Sequence, residues 1–315
     1  MEAPFPPVEP FDHGLLDVGD GQLVYWEVSG NPDGKPALVL HGGPGSGSTP
    51  GRRRWFNPAT YRLVQFDQRG CGRSTPPVAD PSTDLTTNTT GRLLADIERL
   101  RGHLGIDQWL VWGASWGVTL GLAYAQAHPD RVSEMVLVSV TMTRPSDVHW
   151  LYHEVGRFFP EKWSHFRHGG GDAGDLVASY NQLLNGHPNA AVRAKAAKDW
   201  CEWEDAVLSL EPGWAPNPRY EDPGFRMTFA RLCAHYFSHA AWLADGQILR
   251  EADRLAGIPG VMVHGRLDLG SPSDVPWLLQ RAWPGSELHL VGTGHAGGDE
   301  MAEHMLGALE RFART

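Results

Sequence analysis

The segment Gly113-Ala114-Ser115-Trp116-Gly117 restricts its own geometry more tightly than any other stretch of this chain. Apolar residues 109–112 precede it and read as a buried strand. Residues 118–127 follow it and read as a helix that ends near His128-Pro129. A G-x-S-x-G pentapeptide between strand and helix must turn sharply. The glycines let the helix approach the strand, and the hydroxyl of Ser115 is left exposed at the turn. The next backbone N–H, that of Trp116, then lies at the helix N-terminus, where partial positive charge suits an oxyanion. The plainer reading, an ordinary strand-to-helix turn, asks for no partner residues elsewhere.

Residues 13–18 and 23–29 flank Gly19-Asp20-Gly21, a hairpin signal. Residues 37–41 and 62–67 are short apolar runs that stop at glycine-rich loops. Residues 90–104 place Leu93, Leu94, Ile97, Leu100 and Leu104 at helical spacing, with Thr89 or Thr90 to cap them. Residues 135–140, 258–264 and 287–291 read as further strands, and 300–312 as a last amphipathic helix. This alternation predicts an α/β fold with a mostly parallel sheet covered on both faces. Between residues 141 and 245 the pattern changes to helical stretches rich in aromatics. The expected organisation is therefore a core over 1–140, an inserted helical cap over 141–245, and the rest of the core over 246–315. The glycines at 169–171, beside His165 and His168, read as a surface loop. Two histidines three apart come with no further metal-ligand pattern.

The formal net charge of −10 argues against nucleic acid and anionic membranes as partners, since both repel an acidic surface. Cys71, Cys201 and Cys233 are too few and too scattered for a disulfide framework or a zinc site, and fit a reducing cytoplasm. Residues 1–11 show no basic and apolar leader. No apolar run approaches the roughly 18 residues that span a bilayer. The 13 tryptophans either line an apolar pocket or fill core.

A serine hydroxyl is a poor nucleophile at neutral pH without a base, and the base needs an orienting group. On an open α/β sheet these follow in the order Ser, Asp or Glu, His. Asp268 follows one strand, in His264-Gly265-Arg266-Leu267-Asp268. His295 follows the next, in Gly292-Thr293-Gly294-His295-Ala296. Both fall just past strand C-termini, where such sheets place their sites. Asp299 is the nearest rival to Asp268 but falls in the last helix. An ordinary imidazole at His295 would lose activity as pH falls through about 6 to 7. His41-Gly42-Gly43-Pro44-Gly45 lets backbone approach a substrate, and the Gly43 N–H can be a second oxyanion donor; a bland glycine-rich turn is the alternative. In Asp67-Gln68-Arg69-Gly70-Cys71-Gly72-Arg73-Ser74 the arginines lack a Walker pattern, which favours a bracing role for Arg69.

Together, the segments His41 to Gly45, Asp67 to Ser74, Gly113 to Gly117 and Gly265 to Asp268 resemble the proline iminopeptidases, and the resemblance runs over nearly the whole chain. It implies an α/β-hydrolase fold with a helical cap, release of N-terminal proline from peptides, and no metal or cofactor. Carried across, it makes Ser115, Asp268 and His295 the triad and gives Gly43 and Trp116 the oxyanion hole, with Gly42 beside the substrate. Trp200-Cys201-Glu202-Trp203-Glu204 looks like the family's W-x-x-W-E segment. On a helix, Trp200, Trp203 and Glu204 share a face. A carboxylate beside two indoles is costly unless paired. Its partner is either a substrate ammonium, as in the family, or a cap arginine. Tyr152 fits a family tyrosine. The departure is Ala230-Arg231-Leu232-Cys233-Ala234-His235-Tyr236-Phe237, where Cys233 replaces a second amine-binding glutamate. Near Thr141 the family often carries a phenylalanine that packs on the proline ring, and an arginine where Val138 stands here. The expectation is a serine amide hydrolase that releases an N-terminal aminoacyl group, proline or another small residue, from a peptide or an aminoacylated natural product. An esterase with the same triad and a ligand-binding protein without activity are the alternatives.

Overall fold

A computed structural model describes residues 3–171 and 174–314. Strands β1 (Pro10–Gly19), β2 (Gln22–Gly30), β3 (Lys35–Leu40), β4 (Tyr61–Phe66), β5 (Trp109–Ser115), β6 (Val132–Val140), β7 (Gly260–Gly265) and β8 (Ser286–Val291) form one sheet. Their order is β1-β2-β4-β3-β5-β6-β7-β8. Only β2 runs antiparallel to its neighbours; from β4 to β8 every pair is parallel. Asp20 and Gly21 close the first hairpin with φ of 58° and 71°, the left-handed pair that matches strand twist. Parallel strands covered on both faces need apolar residues at successive positions. Leu110, Val111 and Trp112 on β5, and Val136, Leu137 and Val138 on β6, are all buried.

Helices α1 (Pro50–Arg53), α2 (Thr90–His103) and α3 (Trp116–Ala127) lie in the first part of the chain. The Thr89 hydroxyl caps α2 by accepting the Arg92 N–H. Between β6 and β7 come α4 (Pro145–Tyr152), α5 (Pro160–Gly169), α6 (Leu176–Asn185), α7 (Ala190–Leu208), α8 (Pro223–Ser238) and α9 (Gln247–Arg250). The chain ends with α10 (Asp274–Ala282) and α11 (Asp299–Phe312). Leu93, Ile97 and Leu100 of α2 pack on one sheet face with residues of α3; Met301, Met305, Leu309 and Phe312 of α11 pack on the other.

Helices α4 to α8 have their own core. Tyr152, Phe166, Tyr180, Trp200 and Trp203 meet there, and the Phe166 and Tyr180 rings stack at 4.4 Å. Replacing one such ring by alanine costs about 3–5 kcal/mol. Two local readings change. Residues 274–282 form α10, a helix that the sequence reading did not place; Pro276 lies in its first turn, where proline breaks no helical hydrogen bond. Helix α5 carries His165 and His168 and runs on to Gly169, so of the glycine run only Gly170 and Gly171 lie in a turn. Among the described residues, no helix is long and apolar enough to cross a membrane.

Candidate active site

Ser115 ends β5 and α3 begins at the next residue. Its backbone sits at φ 54° and ψ −125°, a conformation that costs free energy in a non-glycine residue and persists because its surroundings enforce it. A Cβ on Gly113 would lie 2.5 Å from the Gly117 carbonyl, and one on Gly117 would collide with the Leu40 carbonyl. The turn therefore closes only with glycine on both sides. The Thr141 hydroxyl donates to the Ser115 carbonyl at 2.8 Å and fixes the turn from β6.

The loop after β3 is held by a network of buried side chains. His41 Nε2 accepts the Gln68 backbone N–H at 3.0 Å, so its proton sits on Nδ1, which donates to the Gly42 carbonyl at 3.0 Å. Burial holds this imidazole below its ordinary pKa. Gln68 also donates to the His41 carbonyl at 3.1 Å and accepts the Trp116 indole N–H at 2.9 Å. The Trp116 side chain is thus committed to the core, and only its backbone N–H is left for the site. Gly42 abuts the elbow: a Cβ there would lie 3.3 Å from Ser115 Cβ. Arg69 forks onto Asp96 at 2.6 and 2.8 Å and reaches Asp20 at 2.9 Å, which is the bracing role read from its motif.

Asp268 is buried past β7, and its Oδ2 lies 2.7 Å from His295 Nδ1; Oδ1 accepts the Ser271 N–H at 2.8 Å. Asp299, the rival, begins α11. The His295 loop is gripped by two residues that no motif announced. The Ser139 hydroxyl donates to the His295 carbonyl at 2.7 Å. Glu211, just beyond α7, accepts the backbone N–H groups of His295 and Ala296. A Cβ on Gly294 would overlap the Glu211 carboxyl, so this contact needs glycine at 294. Burial pushes the Glu211 carboxyl above its usual range, although both N–H bonds act to lower it. A carboxylate reaching back to a distant loop has no local sequence period, so only the tertiary fold reveals it. Burial lowers the pKa of the His295 imidazole, but Asp268, with Glu211 and Glu204 near by, outweighs it and pushes the ring up to about 9. That corrects the ordinary range expected for this base.

Ser115, His295, Gly43 and Trp116 line one small cavity of about 90 Å³ together with Glu204 and Tyr152. Among the described residues no hydrogen bond joins Ser115 Oγ to His295; unliganded sites often tighten only on substrate. Val148, Leu151, Val207 and Phe237 give this cavity apolar walls, and Thr141 and Thr143 give it hydroxyls. The Tyr152 hydroxyl donates to Glu204 Oε1 at 2.7 Å. Burial pushes the Glu204 carboxyl above its usual range, the Tyr152 bond opposing it. No arginine or lysine pairs with Glu204 among the described residues, which removes the salt-bridge reading.

Trp200 and Trp203 belong elsewhere than expected. They are 0% and 1% exposed inside the helical layer, and neither lines the cavity. They pack behind Glu204 rather than against a ligand. Cys233 is also fully buried, with its thiol 3.4 Å from the Pro44 carbonyl, and does not open on the cavity. Away from this site, His165, Asp199 and Glu202 bring ligand atoms within 4.8 Å of one another. Their carboxylates are taken by Lys195 and Lys198.

The fold is that of the α/β hydrolases, whose family pattern matches residues 35–300. A probable proline iminopeptidase of Streptomyces coelicolor is 50% identical to this chain over 98% of both sequences. A proline iminopeptidase of Xylella fastidiosa is 43% identical over 94% of both. The crystal structure of a proline iminopeptidase of Mycobacterium smegmatis aligns over 96% of this chain and 98% of its own, with a TM-score of 0.65; at 18% identity that likeness shows the fold alone. The chain belongs to the proline iminopeptidase family. It is an enzyme, a hydrolase of the aminopeptidase type.

Proposed function

We propose that this enzyme releases N-terminal proline, or another small residue, from short peptides by acyl transfer through Ser115. His295 takes the Ser115 proton as Oγ attacks the scissile carbonyl carbon. The backbone N–H groups of Gly43 and Trp116 receive the developing oxyanion. The C–N bond then breaks, and His295 passes its proton to the departing nitrogen. Water attacks the acyl-enzyme with His295 again as base, and Ser115 recovers its proton as the amino acid leaves. Asp268 holds the imidazole in the tautomer this requires and stabilises its charged form. Residues 141–245 act as the cap that carries Glu204 and Tyr152 over the serine. Cys71, Cys201 and Cys233, all buried and unpaired, suit a reducing cytoplasm.

The observation that carries this reading is Glu204. It faces the cavity of Ser115 and His295 with no arginine or lysine on it; the protonated His295 ring near by acts to lower its pKa, and a substrate ammonium is the partner that meets the carboxylate directly. Apolar walls from Val148, Leu151 and Phe237 suit a small ring beside that ammonium. The names of the curated relatives point the same way. The test is a panel of prolyl- and alanyl-naphthylamides, their N-acetyl forms and simple esters. Free prolyl amine should be turned over fastest. Equal turnover of free and N-acetylated forms would mean that Glu204 does not read the amine and would favour an esterase.

A further inference from the structure

The cavity that holds Ser115 continues, past His295, into a wider one of about 360 Å³. Glu204, Tyr220, Arg52, Arg219 and Trp112 all line it. The two arginines differ from others packed around the same loops. Arg53 is paired with Glu27 at 2.7 Å, Arg69 with Asp96 at 2.6 Å, and Arg73 with Asp67 at 2.9 Å. Among the described residues Arg52 has no carboxylate partner and no side-chain hydrogen bond; its guanidinium lies over the Trp112 ring, 4.2 Å from the centroid. Burial lowers its pKa to about 10, which leaves it charged at neutral pH. Arg219 stacks over Phe225 at 3.9 Å and donates to the Ser46 carbonyl at 2.6 Å, again with no carboxylate partner. Trp112 is buried, and its indole N–H has no hydrogen-bond partner.

A net charge of −10 leaves the chain with more carboxylates than it has cations to match. Two half-buried guanidiniums without a carboxylate are therefore notable, and stacking on an aromatic ring orients such a group without neutralising it. A planar guanidinium held by its face presents its edge donors to a carboxylate. Asp205 and Glu211 line the adjoining space beyond His295, but each is already bound to backbone N–H groups, Asp205 to Asn217 and Glu211 to His295 and Ala296.

We infer that Arg52, aided by Arg219, binds the C-terminal carboxylate of the departing peptide, so that the site selects short zwitterionic peptides with a free carboxylate. The inference rests on the acyl-transfer reading, in which the leaving nitrogen must take its proton from His295 and therefore departs toward the wall that Arg52 shares with it. Glu204 then meets the ammonium of the substrate and Arg52 its carboxylate, on either side of the scissile bond.

The experiment compares prolyl-alanine, prolyl-alaninamide and proline 2-naphthylamide by kcat/KM. In the unmodified enzyme the free acid should exceed the amidated dipeptide by roughly 10- to 100-fold, the range for a charge-assisted hydrogen bond. Arg52→Gln should shrink that ratio to about twofold or less, Arg52→Lys should keep part of it, and Arg219→Gln should reduce it less than Arg52→Gln. A ratio near unity in the unmodified enzyme overturns the inference without any variant, as does an unchanged ratio in a folded Arg52→Gln. Arg52→Lys serves if the glutamine variant fails to fold. Absence of a free-acid preference in the unmodified enzyme, with naphthylamide turnover intact, rejects only the carboxylate subsite. No turnover of any prolyl substrate rejects the acyl-transfer reading itself.

Discussion

Asp268 and Glu204 are both carboxylates beside His295, yet the sheet and the helical layer hold them differently. Asp268 lies in a loop fixed by β7, and both of its oxygens are taken, one by Ser271 and one by His295. Glu204 rides on α7 and accepts the Tyr152 hydroxyl on one oxygen; the other takes no hydrogen bond among the described residues. A carboxylate with filled partners is set for one task. A carboxylate left with an open oxygen is set to meet something that arrives. Under the proposed mechanism, the C-terminal ends of the strands carry the groups that must not move, and the helical layer carries the group that meets the substrate amine.

Substitutions can break that division. Ser115→Ala should lower kcat by about 10⁴-fold or more while the protein stays folded, checked by turnover and thermal melting together. Retention of more than about a hundredth of the rate would remove Ser115 as nucleophile. Asp268→Asn should cost about 10⁴-fold in kcat, because the amide favours the wrong imidazole tautomer; a mild effect there, with a severe one at Asp299, would move the orienting role. Glu204→Gln should act mainly on KM, raising it roughly 10- to 100-fold for free-amine substrates and little for N-acetylated ones. A purely kcat effect of equal size on both would make Glu204 part of the fixed machinery and erase the contrast.

The smallest effect concerns pH. His295 must be neutral to accept the serine proton. With its pKa pushed up to about 9, kcat/KM should keep rising with pH from 7 toward 9, where an ordinary imidazole would already have levelled off. Glu211 is one of the charges behind that rise, so Glu211→Gln should move the midpoint of the profile downward, with a loss in kcat of about tenfold from the loosened loop. A midpoint that does not move would reduce Glu211 to a purely structural contact.

The strands and the Ser115 elbow were legible because each is a local pattern: a buried apolar run, then a turn with glycines where a Cβ would strike backbone. Asp268 and His295 were legible from chain order and from their places after strands. In the helical layer the same reasoning went astray at Trp200 and Trp203. Helical spacing says which residues share a face, but not whether that face meets a ligand or another helix; here α5 and α6 cover it. Cys233 was noticed as a departure, yet its thiol packs on the Pro44 carbonyl instead of opening on the cavity. Ser139 and Glu211 left no signal at all, since each works on the backbone of a loop 156 or 84 residues away.

That last contact bears on how such enzymes can be rebuilt. Helical layers of this kind invite exchange between relatives, as if a new one could be grafted over an unchanged sheet. Here the donor layer would also have to bring an acceptor for the His295 and Ala296 N–H groups, in a spot where position 294 has no side chain to obstruct it. Positions 211 and 294 should therefore be inherited or replaced as a pair, and chimaeras that split them should lose the alignment of the base before they lose the fold.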